Sequence, residues 1–186
     1  METVNLNISD ELKEAIKIVK LDEKIIERVS KDEGVNQIAF LILALSSIAA
    51  SLSTFMIPND FININLDFTA LNFIKFAVFD FVLAIMYIYT MAFIAEKIFK
   101  GPANTHGFFR SIAYGSIIKI ANLIPVFGLL AGVWYLVIQF KILKKIFKLQ
   151  FHTAILTMII GIITIGLLGS ILNQFGFNIL DANNLE

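Results

Sequence analysis

Polar and apolar positions divide the chain into an amphipathic arm followed by a series of long apolar runs. Within residues 1–34, Leu12, Ile16 and Val19 recur at helical spacing, and Leu21, Ile25 and Val29 continue the stripe. Ser9 is placed to cap this helix, Asp10 and Glu11 suit the positive end of its dipole, and Gly34 marks its stop. Residues 35–57 then run without a charge, and their length exceeds the roughly 20 helical residues that cross a hydrocarbon core of about 30 Å. Pro58-Asn59-Asp60 ends this run. Ile62, Ile64, Leu66 and Phe68 alternate with Asn63, Asn65 and Asp67, the period of a short extended segment. A second apolar run covers 69–95 and contains Lys75 and Asp80. A third stretch, 111–140, is too long for one crossing and is broken around Pro125 into 111–124 and 126–140. The last run, 152–172, leads to a polar tail over 173–186.

The placement of charge sets the number of crossings at five. With the arm inside, the inner segments hold thirteen of the fifteen bases: six in the arm, then Lys97, Lys100 and Arg110, then Lys141, Lys144, Lys145 and Lys148. The outer segments hold only acids: Asp60, Asp67, Asp181 and Glu186. A single crossing over 111–140 would set the Lys141–Lys148 cluster opposite Arg110, against the positive-inside rule. The expectation is an all-α integral membrane protein. A cytosolic arm over 1–34 precedes a five-span domain over 35–172, and the C-terminal tail lies outside.

Composition agrees. The chain is 58% hydrophobic and 16% charged, against roughly 45–50% and 25% in ordinary soluble domains. A net charge of zero leaves no field to hold nucleic acid. That zero is a sum, however: the arm carries nine acids against six bases, while the inner loops are basic. Anionic lipid headgroups, or a membrane or cytosolic protein, are therefore the expected partners besides the bilayer itself. The acidic arm is expected to dock on the basic face. It starts Met-Glu-Thr and does not read as a signal peptide.

Little else points to chemistry. Asp80 and Lys119 both reach mid-depth of their runs, where ionisable groups are costly unless paired or wetted, so an ion pair is geometrically possible, as a relay or as a structural pair; the alternative is two separate side chains that face polar cavities and snorkel. Lys75 lies nearer the outer boundary and snorkels. Gly128-x-x-x-Gly132, Gly166-x-x-x-Ser170 and Ser46-x-x-x-Ala50 allow close helix approach, within the chain first and in a homo- or hetero-oligomer second. Ser116-x-x-Lys119 matches a serine acyl-enzyme string without its companion motifs. His106 and His152 stand far apart with no cysteine in the chain, so no metal site and no cofactor are expected. Asn7-Ile-Ser9 is a sequon on the inner side. Neither paired carboxylates nor a phosphate-binding loop is present, and the chain does not read as an enzyme.

Residues 100–170 resemble the Yip (Ypt-interacting protein) domain family of five-span membrane proteins. The resemblance rests on Lys100-Gly101, Phe108-Phe109-Arg110-Ser111-Ile112-Ala113-Tyr114-Gly115-Ser116, Leu123-Ile124-Pro125-Val126-Phe127-Gly128, and Gly132-Val133-Trp134, ending near Leu149 and Ala154. Gly101, Tyr114, Gly115, Pro125, Gly128 and Trp134 are the positions that match. The resemblance implies a non-enzymatic membrane scaffold or organiser. Eukaryotic members associate with prenylated Rab-type GTPases, but their acidic-aromatic-Gly-Pro motif is absent here, and Ile117-Ile118 stand where a proline is common. GTPase binding is therefore not carried over, and the short arm resembles the prokaryotic branch, in a cell membrane. The competing reading is a small transporter or channel with a polar path through Asp80, Lys119 and Asn122. An odd span count without a visible inverted repeat weighs against it.

Overall fold

The computed structural model describes residues 8–56 and 69–174. Among them are seven α-helices and no strand: α1 (Ile8–Val19), α2 (Glu23–Lys31), α3 (Asn36–Met56), α4 (Ala70–Phe93), α5 (Thr105–Gly115), α6 (Pro125–Phe147) and α7 (Phe151–Gln174). A 3-10 turn, Glu33–Val35, leads into α3; a π segment, Ile94–Ile98, prolongs α4; and a 3-10 segment, Ser116–Leu123, prolongs α5. The alternating Ile62–Phe68 segment and the tail beyond residue 174 lie outside the described residues.

The arm is two helices rather than the one that its apolar stripe predicts. Leu21 takes a left-handed conformation, φ 64°, which reverses the chain. Asp22 then caps α2, its side chain accepting the Lys24 and Ile25 backbone N–H groups at 3.0 and 3.3 Å. Ser9, expected as the cap of the first helix, lies inside α1.

Four helical stretches are long and apolar enough to cross a membrane: Glu33–Met56, Ala70–Ile98, Phe127–Phe147 and Phe151–Ile171. The stretch expected as the third span, 111–124, is not among them. It combines the second half of α5 with the 3-10 segment, so no single α-helix covers it. Extended by the looser 3-10 rise of ~2.0 Å per residue, 105–123 nonetheless reaches about 33 Å, close to the ~35 Å of α6. Proline sets the corner between them: Ile124 is extended (φ −105°, ψ 106°), as a residue before proline prefers, and Pro125 opens α6. α6 continues to Phe147, past the boundary at 140 read from the sequence, so Lys141, Lys144 and Lys145 ride on its last turns.

The connected core lies toward one end, although Ala49, Ser51 and Ala131 are buried beyond it. The core joins Ile38, Ile42 and Leu43 near the start of α3 with Ile88, Met91 and Ala92 near the end of α4. Phe108, Ile112 and Tyr114 of α5, Ile138, Ile142 and Phe147 late in α6, and Ala154 early in α7 complete it. The start of one helix thus meets the end of the next throughout. The arm closes this end, with Ala15, Ile18, Ile26 and Val29 fully buried against the bundle. At the opposite end large apolar side chains face outward, among them Leu71, Ile74, Leu129, Leu130 and Leu167.

Candidate functional site

Two polar regions interrupt the apolar packing. The first lies along the 3-10 segment. Winding at three residues per turn stacks Ser116, Lys119 and Asn122 on a single line, which an α-helix would splay. Ser116 Oγ hydrogen-bonds Ser46 Oγ of α3 at 3.0 Å. Lys119 Nζ stands 3.9 Å from Asp80 Oδ2 of α4 and 5.4 Å from the Tyr135 ring centroid. Asp80 and Lys119 thus stand within ion-pair distance without a hydrogen bond between them, with the two side chains 38% and 20% exposed. Nearby, the Tyr87 hydroxyl donates to Gln139 Oε1 at 2.7 Å. The buried Asn122 Oδ1 has no hydrogen-bond partner among the described residues.

The second region is the junction of the arm with α5 and α6. Arg110, assigned from sequence to the exposed basic face, is instead buried at 4% exposure. Its guanidinium donates to Val29 O at 3.0 Å, Ser30 O at 2.6 Å and Asn36 Oδ1 at 3.0 Å, satisfying carbonyls near the end of α2. That correction follows from chain reversal at Leu21, which lays α2 across α5. The Tyr114 hydroxyl donates to Glu11 Oε2 at 2.7 Å. Arg28 binds the same carboxylate at 2.9 Å and also pairs with Glu14. Trp134, the only tryptophan, donates its indole N–H to Val19 O at 2.9 Å.

Acidic positions of α2 meet the basic end of α6. Glu23 pairs with Lys141 and lies 3.5 Å from Lys145, which is 3.4 Å from Glu27. Glu27 also pairs with Lys31 at 2.7 Å. The Lys141 contact holds the Glu23 carboxyl below its ordinary range, and Lys31, followed by Lys145, does the same for Glu27. Glu14 moves the opposite way: burial raises it, against the pull of Arg28. The acidic positions of α2 are thus in contact with the basic last turns of α6.

Other matched positions have structural uses. At Gly101 a Cβ would meet the Ala95 and Phe147 carbonyl oxygens at 3.0 Å, and at Gly115 it would meet Ile138 Cγ2 at 2.7 Å. Glu96 Oε1 accepts from Asn104 N and Thr105 Oγ1, both at 2.8 Å, ordering the loop that follows Lys97 and Lys100. Gly128 leaves ordinary van der Waals room beside Asn122, while Gly132 and Gly166 have open space around them. Gly132 and Gly166 therefore seat no neighbouring helix among the described residues, whereas Gly128 lies against Asn122 of the 3-10 segment. Glu11, expected only to suit the helix dipole, and Ser46, expected only to allow close helix approach, join these sites, as does Arg28, whose sole signal in the sequence is its charge. No cluster of metal-ligating side chains occurs among the described residues.

Compared with family models, curated proteins and solved structures, the chain matches none.

Proposed function

We propose that this protein is a non-enzymatic membrane scaffold that crosses the bilayer five times, with its arm and basic end on the cytosolic side. The carrying observation is the one-ended core: starts and ends of successive helices meet there, and the arm seals it. A path that alternates through α3, α4, α5 with its 3-10 extension, α6 and α7 has five passes and puts residues 148–150 beside the arm. The resemblance to Yip-domain proteins supports the same plan and the scaffold role. Lys97, Lys100, Lys144 and Lys148 would offer the basic surface to a membrane or cytosolic protein, in the cell membrane. Photo-cross-linking from Lys100 or Lys148 in intact cells tests this. A discrete partner, lost when residues 8–33 are deleted, is expected; the absence of any cross-linked partner would overturn it.

The Asp80–Lys119 pair supports a second reading, a small transporter whose polar path also includes Asn122. Proteoliposome flux separates the two. The scaffold reading predicts no proton or ion movement, and movement abolished by Asp80→Asn would establish the transporter.

A further inference from the structure

Between α2 and the last turns of α6 lies a cleft of about 530 Å³, lined by Ser30, Lys31, Asn104, Lys144, Lys145 and Lys148, with Glu27 as its one acid. Four ammonium groups against one carboxylate leave it strongly cationic. Glu27 occupies Lys31 and Lys145. Lys144 and Lys148 are exposed, and neither is in an ion pair with a carboxylate among the described residues.

The cleft adjoins an apolar groove. Residues 133, 136, 137, 140 and 144 recur at intervals of three and four and so share one face of α6, apolar first and basic last, and Lys148 follows as the left-handed cap of that helix. Lys144 Nζ stands 5.6 Å over the Phe140 ring, and that ring packs edge-on against Phe151 of α7 at 5.2 Å. Phe140 and Phe151 open a groove of about 390 Å³ between α6 and α7, continued by Val133, Leu136, Ile155 and Ile159. Polar surface is nearly absent from it, so a free phosphate compound gains nothing there.

We propose that cleft and groove together hold one anionic phospholipid: its phosphate between Lys144 and Lys148 with Asn104 as a further donor, its acyl chain along α6 and α7. Charge complementarity selects the headgroup, and the apolar continuation selects a lipid over a soluble phosphate. Glu27 pairs with Lys31 and Lys145 rather than with Lys144 or Lys148, but as the one acid of the cleft it repels the phosphate. The inference rests on the basic end lying at the membrane surface, as under the proposed function, but is read independently of sidedness and of any protein partner.

The test uses the full chain purified in detergent, titrated with phosphatidylglycerol or phosphatidylcholine and read by native mass spectrometry. One phosphatidylglycerol is expected to remain bound at concentrations where phosphatidylcholine is lost. Lys144→Gln/Lys148→Gln should weaken it about thirty-fold, at the usual worth of two surface bases. Glu27→Gln should tighten it, and Lys13→Gln/Lys20→Gln should leave it unchanged. Circular dichroism and thermal unfolding in the same detergent confirm that each variant is folded. Equal retention of both lipids, or no effect of the Lys144/Lys148 pair in a folded variant, would overturn the site. Displacement by glycerol phosphate at concentrations equal to the lipid's would overturn the lipid assignment in favour of a soluble phosphate. Topology labelling reports on the membrane placement separately.

Discussion

At the scale of single residues, two side chains decide most of the polar geometry. Arg110 fits its place because a planar, forked cation serves three acceptors at once, two of them carbonyls near a helix end. Arg110→Lys is therefore expected to cost about 2 kcal/mol of stability through acceptors left without donors, read by thermal unfolding in micelles. Asp80→Asn leaves Lys119 without its counter-charge. Because the pair is partly exposed, the expected loss is about 1–2 kcal/mol, and Asp80→Asn/Lys119→Gln should recover most of it. The common depth of Asp80 and Lys119 was legible in the sequence, since it follows from rise per residue along two helices, whereas their 3.9 Å approach depends on how those helices pack. It hid the fate of Arg110, because a base in an inner loop serves the positive-inside rule equally well whether it is exposed or buried. Glycines divide in the same way. Gly107→Ala would drive a methyl to 2.4 Å from Ser30 O and should destabilise by about 1–3 kcal/mol, while Gly132→Ala, in open space, should be neutral or slightly stabilising in the same unfolding assay.

At the scale of elements, the arm carries the second lesson. Apolar spacing gave the helical winding but only part of the buried face, since Ile16 is exposed and Glu11, Ala15 and Ile18 are buried instead; the stripe also runs through Leu21 without a break, and only the Leu21–Asp22 geometry turns one predicted helix into a hairpin. The 3-10 extension of α5 was likewise invisible. Hydropathy does not distinguish windings, and the three-residue interval from Ser116 to Asn122 has meaning only once the segment is known to wind that way. Docking of the arm should depend on pH. Glu23 and Glu27 are held below the ordinary carboxylate range, so their pairing with α6 persists above that range and is lost as pH falls through their lowered values. Glu14 is raised, so its neutral form is favoured in the fold and its contribution runs the other way, fading as pH climbs from the ordinary value through the raised one. Trp134 reports the outcome, because its indole N–H bonds to Val19 O of the arm. Acidification to below the ordinary carboxylate range should shift its emission as Glu23 and Glu27 protonate. Glu23→Gln/Glu27→Gln should show the shifted emission already at neutral pH, and an unchanged spectrum in that variant would contradict charge-guided docking.

For the whole molecule, the apolar excess of the composition resolves into a bundle that is well packed at one end and opens its apolar side chains outward at the other. A soluble protein would bury both ends. Four helices qualify individually for crossing a membrane, and the fifth pass of the proposed topology is the composite of α5 and the 3-10 segment. Its closeness in length to α6 is what a hairpin turned at Pro125 requires. Four and five passes differ in where Gln150 lies, because a fold in which 105–123 stays on one side sends α6 the other way. The chain has no cysteine, so single cysteines can be introduced without removing any. The most direct test is accessibility to a membrane-impermeant maleimide in intact cells, with cysteines placed singly at Lys20, Ala103, Gln150 and Asn183. Five passes predict that Asn183→Cys is labelled from outside, while Lys20→Cys, Ala103→Cys and Gln150→Cys are protected until the cells are lysed. External labelling of Gln150→Cys with protection of Asn183→Cys would contradict it.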